Sequence, residues 1–198
     1  MAGLPDRLPA GTRWRITNEL TVAAASALAL GWAYGGYRFD TYKSSTQPAS
    51  VRARLIAPSV VDHTRVLQLA GATALARDLV NTPASDMTPE RLAAEAIRMA
   101  REYGAVPQEI AGDELRRGFP AIHAVGQAST CAPRLIDFVW GDPTHPKVTL
   151  IGKGVCVDTG GLDIKPSAGM ALMKKDMGGA ACTLALAQLV MQSQLRVR

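Results

Sequence analysis

The spacing of apolar and polar residues predicts alternating helices and strands along most of the chain. Near the amino terminus, Asn18 is a candidate cap for a helix that runs to about Ala33 and ends at Gly35 and Gly36. The next stretch, YRFDTYKSSTQPAS, contains Ser, Thr and Pro in the combination typical of a linker or loop between domains. We therefore expect a domain boundary between residues 50 and 51.

The clearest single helix signal lies in the middle of the chain. VRARLIAP, from Val51, predicts a strand, and residues 62–80 carry apolar side chains at helical spacing. Thr88, Pro89 and Glu90 then supply, in order, a hydroxyl cap, a proline at the first helical position and an acid in the first turn. This order predicts a helix that begins there and ends at Gly104.

The remaining pattern predicts a sheet with helices around it. VPQEI, AIHAVG, RLIDFVW and KVTLIG are strand-like, GDELRRG is a short helix, and a last helix runs from near Met177 to Leu195. The fold class predicted is α/β, with a mixed, largely parallel sheet flanked by helices. Ligands of such sheets bind beyond the carboxyl ends of the strands, so a site is expected directly after KVTLIG.

Charge and composition change this picture little. The chain of 198 residues is 47% hydrophobic and 20% charged, as expected of a folded protein. Seven Lys/Arg stand against three Asp/Glu in residues 1–54, and fifteen against fourteen in the rest. No aromatic residues alternate with the basic ones, so we interpret the basic end as solvated surface and expect no nucleic-acid partner.

Two features concern the cellular compartment. Cys131, Cys156 and Cys182 are far apart and lack a C-x-x-C spacing, which excludes a zinc finger or disulfide framework and favours a reducing, cytoplasmic location. The uncharged run from Leu20 to Tyr37 follows several arginines, as in a signal peptide. Because half of its residues are alanine or glycine, we interpret it as a helix packed against protein, with no membrane partner.

The stretch that begins with the last two residues of KVTLIG is rich in lysine, aspartate and glycine. It is IGKGVCVDTGGLDIKPSAGMALMKKDMGG, residues 151–179. A phosphate loop is not predicted, because Gly154 stands where a Walker motif needs Ser or Thr, and Val157 breaks the dinucleotide glycine pattern.

Two interpretations of this stretch remain open from spacing alone. Asp158 and Asp176 carry oxygen ligands suited to Zn²⁺ or Mn²⁺, and a neutral Lys153 amine is a further donor. Lys165 would then stay charged and polarise a carbonyl, and the glycines would let the backbone approach the ions closely. The other interpretation is a turn-rich loop with surface lysines and helix-capping aspartates.

The stretch GKGVCVDTGGLDIKPSAGMALMKKDMGGAA resembles the signature of the leucyl aminopeptidase family, the hexameric two-metal exopeptidases of the cytosol. LVNTPASDMTPERLA, AIHAVGQAS, PRLIDFVWGDP and YRFDTYK extend the resemblance from about Leu20 onward. It implies that residues 51–198 are the first part of a metallo-aminopeptidase catalytic domain. Residues 1–50 would be the remnant of an amino-terminal domain and its linker.

The resemblance also implies a role for each candidate residue. Lys153, Asp158 and Asp176 match metal ligands for two Zn or Mn ions, with Asp158 bridging both. Lys165 matches the charged lysine that stabilises the tetrahedral intermediate. Met173 matches a wall of the pocket for the first side chain of the peptide substrate.

A further family motif, Asn-Thr-Asp-x-Glu-Gly-Arg, has no counterpart in the sequence, and no Asp or Glu follows Asp176. Three side chains cannot fill the roughly eight positions of two tetrahedral ions. We therefore expect weak or partial metal binding and an incomplete, inactive fragment of the enzyme, for which a hexamer is doubtful. The alternative is a non-catalytic truncated protein that binds partners or nucleic acid.

Overall fold

Strands and helices alternate along the chain, which confirms the α/β class. The computed structural model describes residues 2–44 and 52–198, and the chain divides into two units, Met1–Leu75 and Ala76–Arg198. The domain boundary expected between residues 50 and 51, and the start of the VRARLIAP strand at Val51, lie outside the described residues. In the described residues the strands form two separate pairs, one parallel and one antiparallel.

The first unit contains the parallel pair and a helix of small residues. Strand β1 (Arg13–Arg15) lies beside strand β2 (Arg54–Ile56), with Trp14 opposite Leu55. Helix α1 (Val22–Gly35) buries Ala25 and Ala29, which pack in one cluster with Val61. The prediction of a small-residue helix packed against protein is therefore confirmed.

The start of helix α1 differs from its prediction. Thr21, not Asn18, is the cap, because its hydroxyl oxygen accepts a hydrogen bond from the Ala24 N–H at 3.3 Å. Either residue type caps helices well, so composition alone did not decide between them. Within the described residues, no helix combines the length and apolar character needed to cross a bilayer.

The two central helices form where the sequence predicts them. Helix α2 (His63–Asn81) begins after Asp62, whose carboxylate accepts a hydrogen bond from the Arg65 N–H. Helix α3 (Pro89–Glu102) has Thr88 as its cap, with the hydroxyl accepting from the Arg91 N–H. Its apolar side chains make up part of the core of the second unit: Leu92, Ala93, Ala96, Met99 and Ala100. Gly104 follows with φ +77°, a left-handed conformation that ends helices without strain.

An antiparallel pair of strands follows. Strand β3 (Val106–Ala111) pairs with strand β4 (Arg134–Val139), with Ile110 opposite Leu135. Helix α4 (Gly112–Gly118) buries Leu115 completely. These elements confirm the strands predicted at VPQEI and RLIDFVW and the short helix at GDELRRG.

The strand predicted at AIHAVG is wrong, because these residues lie in helix α5 (Pro120–Gly126). Pro120 occupies the first turn, where its fixed φ angle favours a helix and its missing N–H costs no hydrogen bond. A short apolar run fits a strand and a helix equally well by periodicity. The proline decides between them.

The strand predicted at KVTLIG is also not formed by the described residues. Residues 147–152 have no strand assignment, and Val148 and Ile151 are 52% and 88% exposed. A strand needs a partner for its backbone groups. Here the Val148 N–H donates to the Arg198 carbonyl at 2.8 Å, and the Arg198 N–H donates to the Pro146 carbonyl at 2.9 Å.

The chain closes with two short helical elements and one long helix. Helix α6 (Ser167–Ala171) leads through a 3₁₀ helix (Met173–Met177) into helix α7 (Gly178–Gln192). Helix α7 ends three residues before the predicted Leu195, because Gln194 takes a left-handed conformation with φ +49°. Met177 and Ala181 are fully buried, so this end of the chain is anchored in the core.

Candidate metal centre

Asp176 is the most buried of the candidate ligands. It lies on the 3₁₀ helix next to the buried Met177, and its side chain is only 16% exposed. Its Oδ1 accepts a hydrogen bond from Lys153 Nζ at 2.8 Å. Its Oδ2 is buried and has no hydrogen-bond partner among the described residues. A buried carboxylate oxygen without a partner is costly, unless a cation binds there.

Lys153 reaches Asp176 because helix α7 begins against the backbone of residues 151–153. The Ala180 N–H donates to the Lys153 carbonyl at 2.8 Å, and the Thr183 hydroxyl donates to the Ile151 carbonyl at 3.3 Å. A Cβ atom on Gly152 would lie 2.6 Å from Ala180 Cα, which no real structure tolerates without a shift. Glycine at this position therefore permits the close approach that positions Lys153.

Asp158 and Lys165 lie at the two ends of one tight loop. Lys165 Nζ donates to Asp158 Oδ2 at 2.8 Å, and the Gly160 N–H donates to Oδ1 at 2.8 Å. The Lys165 N–H donates to the Thr159 carbonyl at 2.9 Å and closes the loop. Gly160 has φ +95°, and a Cβ there would lie 2.1 Å from the Asp163 carbonyl oxygen, so only glycine fits.

The charges around Asp158 favour its ionised form. The hydrogen bond from Lys165 is the largest cause that lowers the pKa of Asp158, followed by the Gly160 N–H. Partial desolvation opposes this shift, while the charges of Lys165 and Lys153 add to it. Asp158 is therefore a carboxylate at neutral pH, as a metal ligand must be.

The structure brings the four charged candidates together as two pairs, Lys153 with Asp176 and Lys165 with Asp158. The aspartates do not cap the helices that follow them: helices α6 and α7 have no side-chain cap. Met173 is half-buried at the start of the 3₁₀ helix, three residues before Asp176.

Sequence reasoning missed how the glycines act. It assigned them to close approach of the backbone to ions, whereas Gly152 and Gly160 allow close approach to Ala180 and to the Asp163 carbonyl. The Gly160 amide is also a direct partner of Asp158 that was not predicted. An aspartate followed two residues later by glycine, as in Asp158-Thr159-Gly160, is the signal that indicates such a side-chain-to-backbone turn.

The donor set fits a divalent cation in part. Asp176 Oδ2 is an unpaired hard oxygen, and Asp158 is ionised, both of which suit Zn²⁺ or Mn²⁺. Over residues 2–44 and 52–198, no group of three or more His, Cys, Asp or Glu side chains is arranged to hold a metal. The third donor here is the Lys153 amine, which binds a cation only when it is neutral.

Comparison with known proteins defines the class. Residues 74–198 match the cytosol aminopeptidase family, catalytic domain, and residues 1–58 match the M17 aminopeptidase amino-terminal domain. The chain belongs to the cytosol aminopeptidase family, which confirms the resemblance found in the sequence.

Individual relatives agree with this assignment. The probable cytosol aminopeptidase of Rhodococcus erythropolis is 36% identical over 185 residues, which cover 85% of this chain and 36% of that protein. The crystal structure of cytosol aminopeptidase from Coxiella burnetii superposes with a TM-score of 0.89 and 42% identity, over 100% of this chain and 42% of that one. The bottromycin maturation enzyme BotP, solved in complex with Mn, superposes with a TM-score of 0.77 and is 36% identical. That match covers 89% of this chain and 38% of BotP. This chain therefore spans about two fifths of its relatives' length.

Proposed function

We propose that this chain carries part of the active site of a metal-dependent aminopeptidase that releases amino-terminal, leucine-like residues from peptides by two-metal hydrolysis. The observation that carries the proposal is the buried Oδ2 of Asp176, which has no hydrogen-bond partner in the described ranges, with Lys153 on the other oxygen. Family membership supports it, and the relative BotP is described in complex with Mn. The comparisons do not favour a non-catalytic or nucleic-acid-binding protein.

Lys153, Asp158 and Asp176 are the residues proposed to hold two Zn or Mn ions, with Asp158 shared between them. When bound, such ions lower the pKa of a water molecule and polarise the carbonyl of the bond to be cleaved. Asp158 is held ionised by its neighbours and needs no deprotonation for this role. Lys153 would act as a ligand through its Nζ, which lies 2.8 Å from Asp176 Oδ1.

Lys165 is proposed to stabilise negative charge on the substrate carbonyl during hydrolysis. Its side chain is 30% exposed, so the ammonium can reach a peptide bound at the site. A charged donor at the site stabilises the oxyanion as negative charge develops on it. Met173, half-buried in the 3₁₀ helix, is proposed to line the pocket for the first side chain of the peptide.

The donors present set a limit on what these 198 residues do alone. Three side chains leave about half of the roughly eight positions of two tetrahedral ions to water. We infer weak or partial metal binding and no appreciable turnover by this polypeptide by itself. In the complete family enzyme, the same stretch would act on peptides in the cytosol as part of a hexamer.

Calorimetric titration of the purified chain with Mn²⁺ tests the proposal. We expect weak binding that is lost in Asp176→Asn and in Asp158→Asn, because each change removes an anionic ligand. Asp163→Asn is the matched control, since Asp163 lies in the same loop, is exposed and matches no ligand of the family. Its Mn²⁺ affinity should equal that of the unchanged chain.

Equal affinity in all four proteins would contradict the assignment of Asp158 and Asp176 as ligands. Loss of binding in Asp163→Asn alone would move the site to another part of the loop.

A further inference from the structure

The two lysine–aspartate pairs leave their carboxylates in different states. Asp176 uses one oxygen for Lys153 and keeps Oδ2 unpaired among the described residues. Asp158 uses both oxygens, Oδ2 for the Lys165 ammonium and Oδ1 for the Gly160 amide. A cation bound at Asp176 Oδ2 would therefore break no hydrogen bond among the described residues, whereas at Asp158 it meets an ammonium that already stands at 2.8 Å.

An arriving divalent cation and the Lys165 ammonium would repel each other at Asp158 Oδ2, because like charges at contact distance oppose each other even near a protein surface. The backbone does not relieve this conflict. The Lys165 N–H is fixed on the Thr159 carbonyl at 2.9 Å, and Gly160 is fixed by its left-handed conformation. The Lys165 side chain is partly exposed and can move away from Asp158.

We propose that Lys165 is an internal counter-ion of Asp158, which a divalent cation must displace in order to bind. The pair stabilises the metal-free loop of residues 158–165. Displacement frees the ammonium at the moment when the metal arrives, so the lysine becomes available to substrate only in the metal-loaded site. This inference rests on the proposed function and adds an order of events to it.

Mn²⁺ binding to the full 198-residue chain tests the competition, with free Mn²⁺ measured by its electron paramagnetic resonance signal. Lys165→Met removes the ammonium and keeps an unbranched side chain. We expect this variant to bind Mn²⁺ about three- to tenfold more tightly. The metal then has no partly exposed ion pair to break and meets no repulsion from the ammonium. Lys165→Arg keeps the charge and should show no gain.

Lys175→Met is the matched control for the general effect of one positive charge fewer. Lys175 is exposed, adjacent to Asp176 in sequence, and forms no ion pair within residues 2–44 and 52–198. We expect its Mn²⁺ affinity to change less than twofold. An equal gain in Lys165→Met and Lys175→Met, or no gain in Lys165→Met, would overturn the competition.

Amide hydrogen exchange in EDTA tests the metal-free pair separately. The Gly160 and Lys165 amides should exchange several-fold faster in Lys165→Met than in Lys175→Met, because the ion pair that helps to close the loop is lost. Unchanged exchange would overturn the counter-ion role. If Mn²⁺ bound to none of the proteins, the proposed metal site and the competition would both fail, while the exchange data would still decide the pairing.

Discussion

Asp176 shows how one side chain carries most of the functional information in this molecule. One oxygen is satisfied by Lys153, and the other is buried without a hydrogen-bond partner in the described part of the chain. A carboxylate oxygen that is buried without a partner lowers the free energy of unfolding, by an amount of the order of a few kcal/mol. A bound cation would remove that cost, and for this reason we propose that the oxygen is a metal ligand.

Lys165 should matter for turnover and not for retention of metal. In a full-length family member that carries this stretch, Lys165→Ala should lower kcat by about 100- to 1,000-fold, the usual cost of removing one donor to an oxyanion. Metal content at saturating Mn²⁺, measured by elemental analysis, should not fall. Undiminished turnover at equal metal content would refute the role of Lys165 in stabilising the oxyanion.

The cysteines should differ strongly in reactivity. Burial raises the pKa of the Cys156 thiol from its ordinary value near 9.0 to about 11, with a smaller contribution from Cys131. At pH 8 its thiolate fraction is therefore about 100-fold smaller than that of a thiol with the ordinary value. Cys182 is exposed. Timed alkylation with iodoacetamide, followed by mass spectrometry, should label Cys182 well before Cys156, and raising the pH toward 11 should speed the labelling of Cys156.

Urea-unfolded chain provides the control for this comparison, since both thiols should then react at similar rates. Similar rates in the folded chain would contradict the burial of Cys156.

At the scale of the elements, helix α7 and residues 151–153 position Lys153. The contact depends on Gly152, whose position leaves no room for a methyl group beside Ala180. The hydrogen bond from the Ala180 N–H to the Lys153 carbonyl fixes the same segment. The start of helix α7 therefore fixes the backbone position from which the Lys153 side chain extends to Asp176.

Gly152→Ala and Gly71→Ala form a matched pair of substitutions with opposite expected effects. Gly152→Ala should lower the free energy of unfolding by about 1–3 kcal/mol, because the new methyl group overpacks against helix α7. Gly71 lies in helix α2 with open space at its Cβ position, so Gly71→Ala should raise it by up to about 1 kcal/mol. Urea denaturation measures both, and equal stability of the two variants would contradict the close packing at Gly152.

Elements with local start and stop signals were predictable from sequence. Helix α3 is an example, because Thr88 and Pro89 define its start and Gly104 its end within the segment itself. Helix α5 was mistaken for a strand because its apolar run is short, although Pro120 was a local signal against a strand. Whether residues 147–152 form a strand depends on pairing with a segment that is distant in sequence. No local pattern encodes such pairing.

The sequence named the residues of the candidate site but did not indicate how they pair. Spacing alone left a metal site and a turn-rich loop open, and the family signature supplied the roles of Lys153, Asp158, Lys165 and Asp176. The contact between Lys153 and Asp176 spans 23 positions. It depends on the close approach of helix α7 to residues 151–153, so it required the structure.

For the molecule as a whole, we propose that the number of metal donors limits activity. Residues that act as a unit lose nearly all of their effect when part of the unit is missing. We therefore expect this 198-residue chain, with saturating Mn²⁺ or Zn²⁺, to hydrolyse leucine-p-nitroanilide at no more than a trace of the rate of a full-length relative. Turnover near that of the relative, assayed side by side, would show that the reaction needs fewer residues than proposed.

We propose that Asp176 and Asp158 hold a divalent cation, and anomalous diffraction from crystals grown with millimolar Mn²⁺ would reveal it. We expect a manganese peak about 2.0–2.3 Å from Asp176 Oδ2, the usual range for a divalent ion on a carboxylate, with Asp158 also coordinating and the Lys165 ammonium moved off its carboxylate. A metal-free Asp176 Oδ2 in such crystals, with Lys165 still on Asp158, would contradict it.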